Sequence, residues 1–101
     1  MRQPSYHTWI ILEYLRQKGA YDILHAVPRK NLLRDLKIKP AILSCYVRRM
    51  HARGWINVYP RHYNKYYWLG WRALRFLSVY PNFVEHPYYT DPYYVKYKKH
   101  Q

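Results

Sequence analysis

Acidic residues are scarce in this chain of 101: Glu13, Asp22, Asp35, Glu85 and Asp91 are all it has. Hydrolytic and nucleolytic chemistry calls for paired carboxylates or a His/Cys/acid cluster, and five acids scattered this way make no pair. Cysteine is scarcer still. Cys45 stands alone, so no intramolecular disulfide can form, a reducing compartment is expected, and a cysteine-based zinc site cannot be completed. The histidines at 7, 25, 51, 62, 86 and 100 show no metal-ligand spacing. No catalytic residue, metal, cofactor or small-molecule ligand is therefore expected. Long apolar runs are missing as well: none approaches the ~20 residues that span a bilayer. The opening "MRQPSYHTWIILEYLRQKG" has neither the long apolar segment nor the small-residue cleavage site of a signal peptide. The chain reads as an intracellular, cytoplasmic protein with no membrane partner.

Positive charge is what the chain has in excess. The formal charge is +13, half the residues are hydrophobic, and a fifth are aromatic. That is enough apolar material for one modest core, but a charge of this size opposes compaction unless a polyanion is close by. The bases are concentrated: from Pro28 to Arg75, twelve Lys and Arg face a single acid, Asp35, a net of +11 in 48 residues. A polyanion such as nucleic acid explains that concentration. The plainer alternative is a solvated basic surface that keeps a small protein apart from its neighbours.

Apolar spacing organises the chain. "SYHTWIILEYLRQKG" sets Thr8, Ile11, Leu12 and Leu15 on one helical face, with Ser5 as N-cap and Gly19 as the stop. "AYDILHAV" is open between a short strand, a helical turn and a loop that packs Ile23 and Leu24. Pro28 opens a second helix through "PRKNLLRDL", with Leu32, Leu33 and Leu36 inward. Pro40 keeps Lys39 out of helical geometry and starts a third helix, "PAILSCYVRRMHARG", with Leu43, Val47 and Met50 inward and Gly54 ending it. "WINVYP" and "YYWL" read as two strands around the polar turn "RHYNK", with Asn64 suited to a left-handed turn. "GWRALRFLSVY" reads as a last helix, Leu74 and Leu77 inward with Phe76 and Tyr80 beside them. Pro81 closes it. The division expected is one domain over residues 1–80 and a Tyr/Pro-rich basic tail over 81–101, with the echo "HPYY" and "DPYY" and Lys96, Lys98 and Lys99 at its end. The fold class expected is α+β, mainly α.

The stretch "LLRDLKIKPAILSCYVRRMHARGWINVY" resembles the winged helix-turn-helix domain of MarR/PadR-like transcription regulators. Leu32 and Leu36 match the second-helix core, Ile38 the apolar turn position, and Leu43, Val47 and Met50 the recognition-helix core. Arg53-Gly54-Trp55-Ile56 matches the step into the wing, and "YYWLGWRALRFL" the second wing strand and last helix. The likeness spans about residues 8–79. It departs where Lys37 replaces the turn glycine, Lys39 the usual Ser/Thr cap, and Gly70 a Thr cap. Small winged-helix proteins of this tyrosine-rich kind are similar to those of archaea and their viruses, so a virus-infected host cell is a second setting.

The resemblance implies a sequence-specific binder of double-stranded DNA, a transcription regulator acting as a homodimer, not an enzyme. Its recognition helix would enter the major groove by its N-terminal half, which assigns Lys39, Pro40, Ala41, Ser44, Cys45 and Arg48 to the bases. Arg48 is the candidate for bidentate contact with guanine. Arg49 is a phosphate contact or a solvated charge. Arg61, His62, Tyr63, Asn64 and Lys65 form the wing tip, placed on the backbone or in a narrow minor groove, or else a plain solvated turn. Arg29, Lys30 and Arg34 are expected phosphate contacts. Stacking of single-stranded bases on Trp9, Trp55, Trp68 and Trp71 competes with their use as core or interface fillers, and the filler reading prevails. Two other functions stay open: a structural, ribosome-associated RNA binder, and a protein–protein module that uses the aromatic tail.

Overall fold

The computed structural model describes residues 6–61 and 64–84, Arg61 by its backbone alone. Helix α1 (Tyr6–Gln17) leads through a single 3-10 turn (Ile23–His25) to strand β1 (Val27–Pro28). Helices α2 (Arg29–Leu36) and α3 (Pro40–Ala52) follow, then strands β2 (Ile56–Arg61) and β3 (Asn64–Leu69) and helix α4 (Trp71–Leu77). The expected N-cap Ser5 lies outside the described residues.

Two helices stop by the same device. After α1, Gly19 sits at φ +71° while its N–H donates to the Arg16 carbonyl and that of Ala20 to the Leu15 carbonyl. After α3, Gly54 sits at φ +81°, its N–H on the His51 carbonyl and that of Trp55 on the Met50 carbonyl. These paired bonds are the Schellman closure that a left-handed glycine permits. The turn between α2 and α3 is tighter. Lys37 takes the left-handed conformation itself, at φ 53°, Ile38 packs against the core, and Pro40 begins α3 with no side-chain cap from Lys39.

The sheet has three strands, not only the hairpin expected, with β3 in the centre and order β1-β3-β2, antiparallel throughout. Val27 pairs with Tyr67, and Ile56 through Arg61 pair with Leu69 through Asn64. Asn64 is accordingly the first residue of β3 rather than a turn residue, and the turn itself, His62 and Tyr63, lies outside the described residues. Alternation along β3 sends Tyr67 and Leu69 inward.

The core gathers Trp9, Ile11, Leu12 and Leu15 of α1, Leu32 of α2, Leu43, Val47 and Met50 of α3, and Trp55, Ile56, Tyr67 and Leu69. One open alternative falls and one expectation is overturned. Ile23 and Leu24 do not pack: they are 51% and 87% exposed, because Asp22 caps the 3-10 turn by accepting from the His25 N–H at 3.0 Å, and Ala20 and Val27 are buried instead. Leu74 is 40% exposed. The inward face of α4 is Ala73, Phe76 and Leu77, spaced i, i+3, i+4 as a buried stripe requires.

The core does not end at Pro81. Phe83 is fully buried, its ring 5.3 Å from Phe76 and 6.2 Å from Trp9. Its N–H donates to Glu13 Oε1 at 3.2 Å. Burial alone would push Glu13 up, but hydrogen bonds from Arg16 and from the Phe83 N–H hold its carboxyl below the usual range. The tail from residue 85 onward lies outside the described residues.

Candidate nucleic-acid interface

Helix α3 is held from behind and open in front. Leu43, Val47 and Met50 bury one stripe, and Tyr46 flanks it with its ring 4.9 Å from that of His7. The far arc presents Ala41, Ser44, Arg48, Arg49 and Ala52, all exposed, with Cys45 half-buried among them. Small side chains near the middle of the arc let the helix axis approach a surface closely, and the arginines reach out beside them. Pro40 and Lys39 are exposed at the helix start. Five of the six residues expected to face bases therefore occupy one side of one helix, together with Arg49, and the sixth, Lys39, immediately precedes it.

Charge pairing divides the bases into two groups. The described acids are all engaged: Glu13 with Arg16 at 2.7 Å, Asp22 with His25 at 2.7 Å, and Asp35 with Arg34 at 2.8 Å. By contrast, Lys30, Lys37, Lys39, Arg48, Arg49, Arg53 and Lys65 are exposed with no ion-pair partner among the described residues. Lys37, at the end of α2, and Arg53, at the end of α3, were absent from the sequence-based site, although excess charge marked both.

Arg34 and Arg29, expected on phosphates, have protein partners. Arg34 Nε donates to Asp35, and the Tyr14 hydroxyl donates to the other oxygen of the same carboxylate, tying α2 to α1. The Arg34 and Tyr14 bonds hold Asp35 down at about 2. Burial, and then the carboxylate beside it, pushes Tyr14 up to about 12. Arg29 reaches from the start of α2 to the first turn of α3 and to β3; no sequence pattern pointed to Tyr67 as its partner there. Lys30, one residue on, remains exposed.

The wing carries Lys65 and Asn64 exposed on β3. The backbone of Arg61 pairs with Asn64 at the end of β2, and His62 and Tyr63 lie outside the described residues. Among the tryptophans, Trp9 and Trp55 are core, Trp68 is half-buried, and Trp71 alone is largely exposed, at 63%. Arg72 lies over the Trp55 ring at 5.0 Å, which shields that ring from any base. The described residues contain no group of three His, Cys, Asp or Glu able to hold a metal ion, and no helix long and apolar enough to cross a membrane.

Two helices joined by a three-residue turn, the second of them exposed, followed by an antiparallel hairpin and a closing helix, make this a winged helix-turn-helix protein. The fold is similar to that of TubR from Bacillus megaterium pBM400, with a TM-score of 0.66 over 78% of this chain and 86% of that chain, at 15% sequence identity. Likeness at that identity carries the fold and nothing finer. No protein-family model and no curated protein matches the chain.

Proposed function

We propose that this chain is a sequence-specific double-stranded DNA-binding protein, a transcription regulator of the MarR/PadR-like kind that acts as a homodimer in the cytoplasm. One observation carries the reading: the exposed arc of α3 joins small side chains to Lys39, Arg48 and Arg49, cations without acid partners, while the described acids are all paired elsewhere. In the docking geometry of this fold the exposed helix lies in the major groove. Arg48 then reads guanine through O6 and N7, and Ala41 and Pro40 meet thymine methyl groups. Lys30, Lys37, Arg53 and the wing bases Arg61 and Lys65 neutralise phosphates, which sets affinity and register but not sequence choice.

The test is a titration of labelled duplex DNA across a salt series. With about five phosphates neutralised by each protomer, the logarithm of the binding constant should fall against that of salt with a slope of roughly −4 to −5 per protomer, about −9 for the dimer. A flat salt response, or preference for A-form RNA duplex over DNA, would refute the proposal.

A further inference from the structure

Arg29 is the first residue of α2, yet its guanidinium serves three elements. Nη2 donates both to the Pro40 carbonyl oxygen at 2.9 Å and to Ser44 Oγ at 2.8 Å, and Nη1 donates to the Tyr67 hydroxyl at 3.4 Å. Pro40 and Ser44 are the first and fifth residues of α3, and Tyr67 is the fully buried centre of β3. The start of α3 otherwise lacks support: Lys39 gives no side-chain cap, and Pro40 has no N–H to cap. A planar fork with five donors can hold such a triangle, whereas the single ammonium of lysine cannot.

The hydroxyl of Ser44 is set by the same contact. A helical serine ordinarily has the option of donating its proton to the carbonyl four residues back, which here is Pro40. That oxygen has two lone pairs; the α-helical ladder supplies the Ser44 N–H to one, and Arg29 takes the other. Ser44 Oγ meanwhile accepts from Arg29. With the Pro40 carbonyl taken, its proton is free to turn outward, from an exposed position on the open arc of α3.

We infer that Arg29 is a positioning residue that locks the recognition helix against the wing strand, and that it fixes Ser44 as a hydrogen-bond donor. Resting on the function proposed above, Ser44 then reads an acceptor edge in the major groove: N7 of a purine, O6 of guanine or O4 of thymine. The cytosine amino group, itself a donor, is disfavoured: Arg29 holds one lone pair of the Ser44 oxygen, and its positive charge repels a second donor at the other.

Two measurements separate the clamp from its use. In the free protein, thermal midpoints of Arg29→Lys, Ser44→Ala and the double variant form a cycle. Non-additive shifts, with the double variant little worse than Arg29→Lys alone, are expected; additive shifts would overturn the clamp whatever the protein binds. With DNA, Arg29→Lys should weaken binding to the preferred duplex roughly five- to hundredfold, leaving random-duplex affinity and the salt slope unchanged. A phosphate-contacting Arg29 gives the opposite pattern, in which Arg29→Lys is silent and Arg29→Ala lowers the salt slope by about one. Replacing each purine of the preferred site by its 7-deaza analogue, each guanine by 2-aminopurine, which lacks O6, and each thymine O4 by the 2-pyrimidinone lacking it, should reveal one position that matters to wild type and not to Ser44→Ala. If no position behaves so, Ser44 is not the reader. Failure of wild type to bind any duplex sinks the functional proposal and Ser44's reading role with it, while the cycle in the free protein still decides the clamp.

Discussion

Gly54 and Gly70 meet backbone to backbone. A Cβ placed on Gly70 would lie 2.3 Å from the Gly54 carbonyl oxygen, which also accepts the Arg72 N–H at 3.0 Å, while the Gly70 N–H donates to the Trp55 carbonyl at 2.9 Å. The end of α3 and the start of α4 are pinned together at this crossing. Gly70 therefore stands where the resemblance leads one to expect threonine because no side chain fits there, and α4 goes without a side-chain cap as a result. Gly70→Ala should destabilise the fold by about 1–3 kcal/mol through overpacking against an immovable carbonyl, read as a lower urea midpoint. A neutral result would mean that the end of α3 and the start of α4 can part without cost.

Lys37 holds a left-handed conformation without being glycine, a strain that side chains pay and glycine largely avoids. Lys37→Gly should raise stability by up to about 1 kcal/mol while weakening binding to all duplexes alike and reducing the salt slope by about one. Loss of stability would show that the lysine side chain contributes something other than charge at the turn.

The Tyr14–Asp35 bond brackets stability in pH. Asp35 is held at about 2, below the ordinary aspartate value of 3.8 from which it departs, so its contribution is complete above that value and is lost as pH falls toward 2. Tyr14 is raised from 10.0 to about 12, so its contribution is complete below pH 10 and is lost as pH rises toward 12. Urea midpoints of wild type and Tyr14→Phe should differ most on the plateau between these windows and converge at both ends. A constant difference across the whole range would contradict the linkage.

Phe83 belongs to the core although it follows Pro81. Phe83→Ala should cost about 3–5 kcal/mol, as for other buried phenylalanines, and truncation after Tyr80 should be at least as damaging. Truncation after Val84 should leave the thermal midpoint near that of wild type. Equal damage from both truncations would place structural weight on the residues beyond 84.

The helices were legible because their apolar spacing is strong and glycines mark two of their ends: Leu43, Val47 and Met50 are buried as the pattern required. The hairpin was legible from its aromatic runs. Strand β1 was legible only as one of three open readings of its segment, since two residues carry no periodicity and Val27 gains its strand character only by pairing with Tyr67. In α4 the leucines suggest the inward face, but the small Ala73 sets the buried register. The site was legible as charge but not as pairing. Whether an arginine such as Arg29 meets a phosphate or a carbonyl depends on which elements converge around it, and Pro40, Ser44 and Tyr67 are eleven to thirty-eight residues away along the chain.

The central claim is that this chain reads sequence in double-stranded DNA as a symmetric pair. Selection from a randomised duplex pool at near-physiological salt, followed by sequencing, tests it most directly. An enriched inverted repeat with half-sites about one helical turn apart is the predicted result. Salt-sensitive binding with no enriched sequence, or no retention of duplex at all, would contradict it.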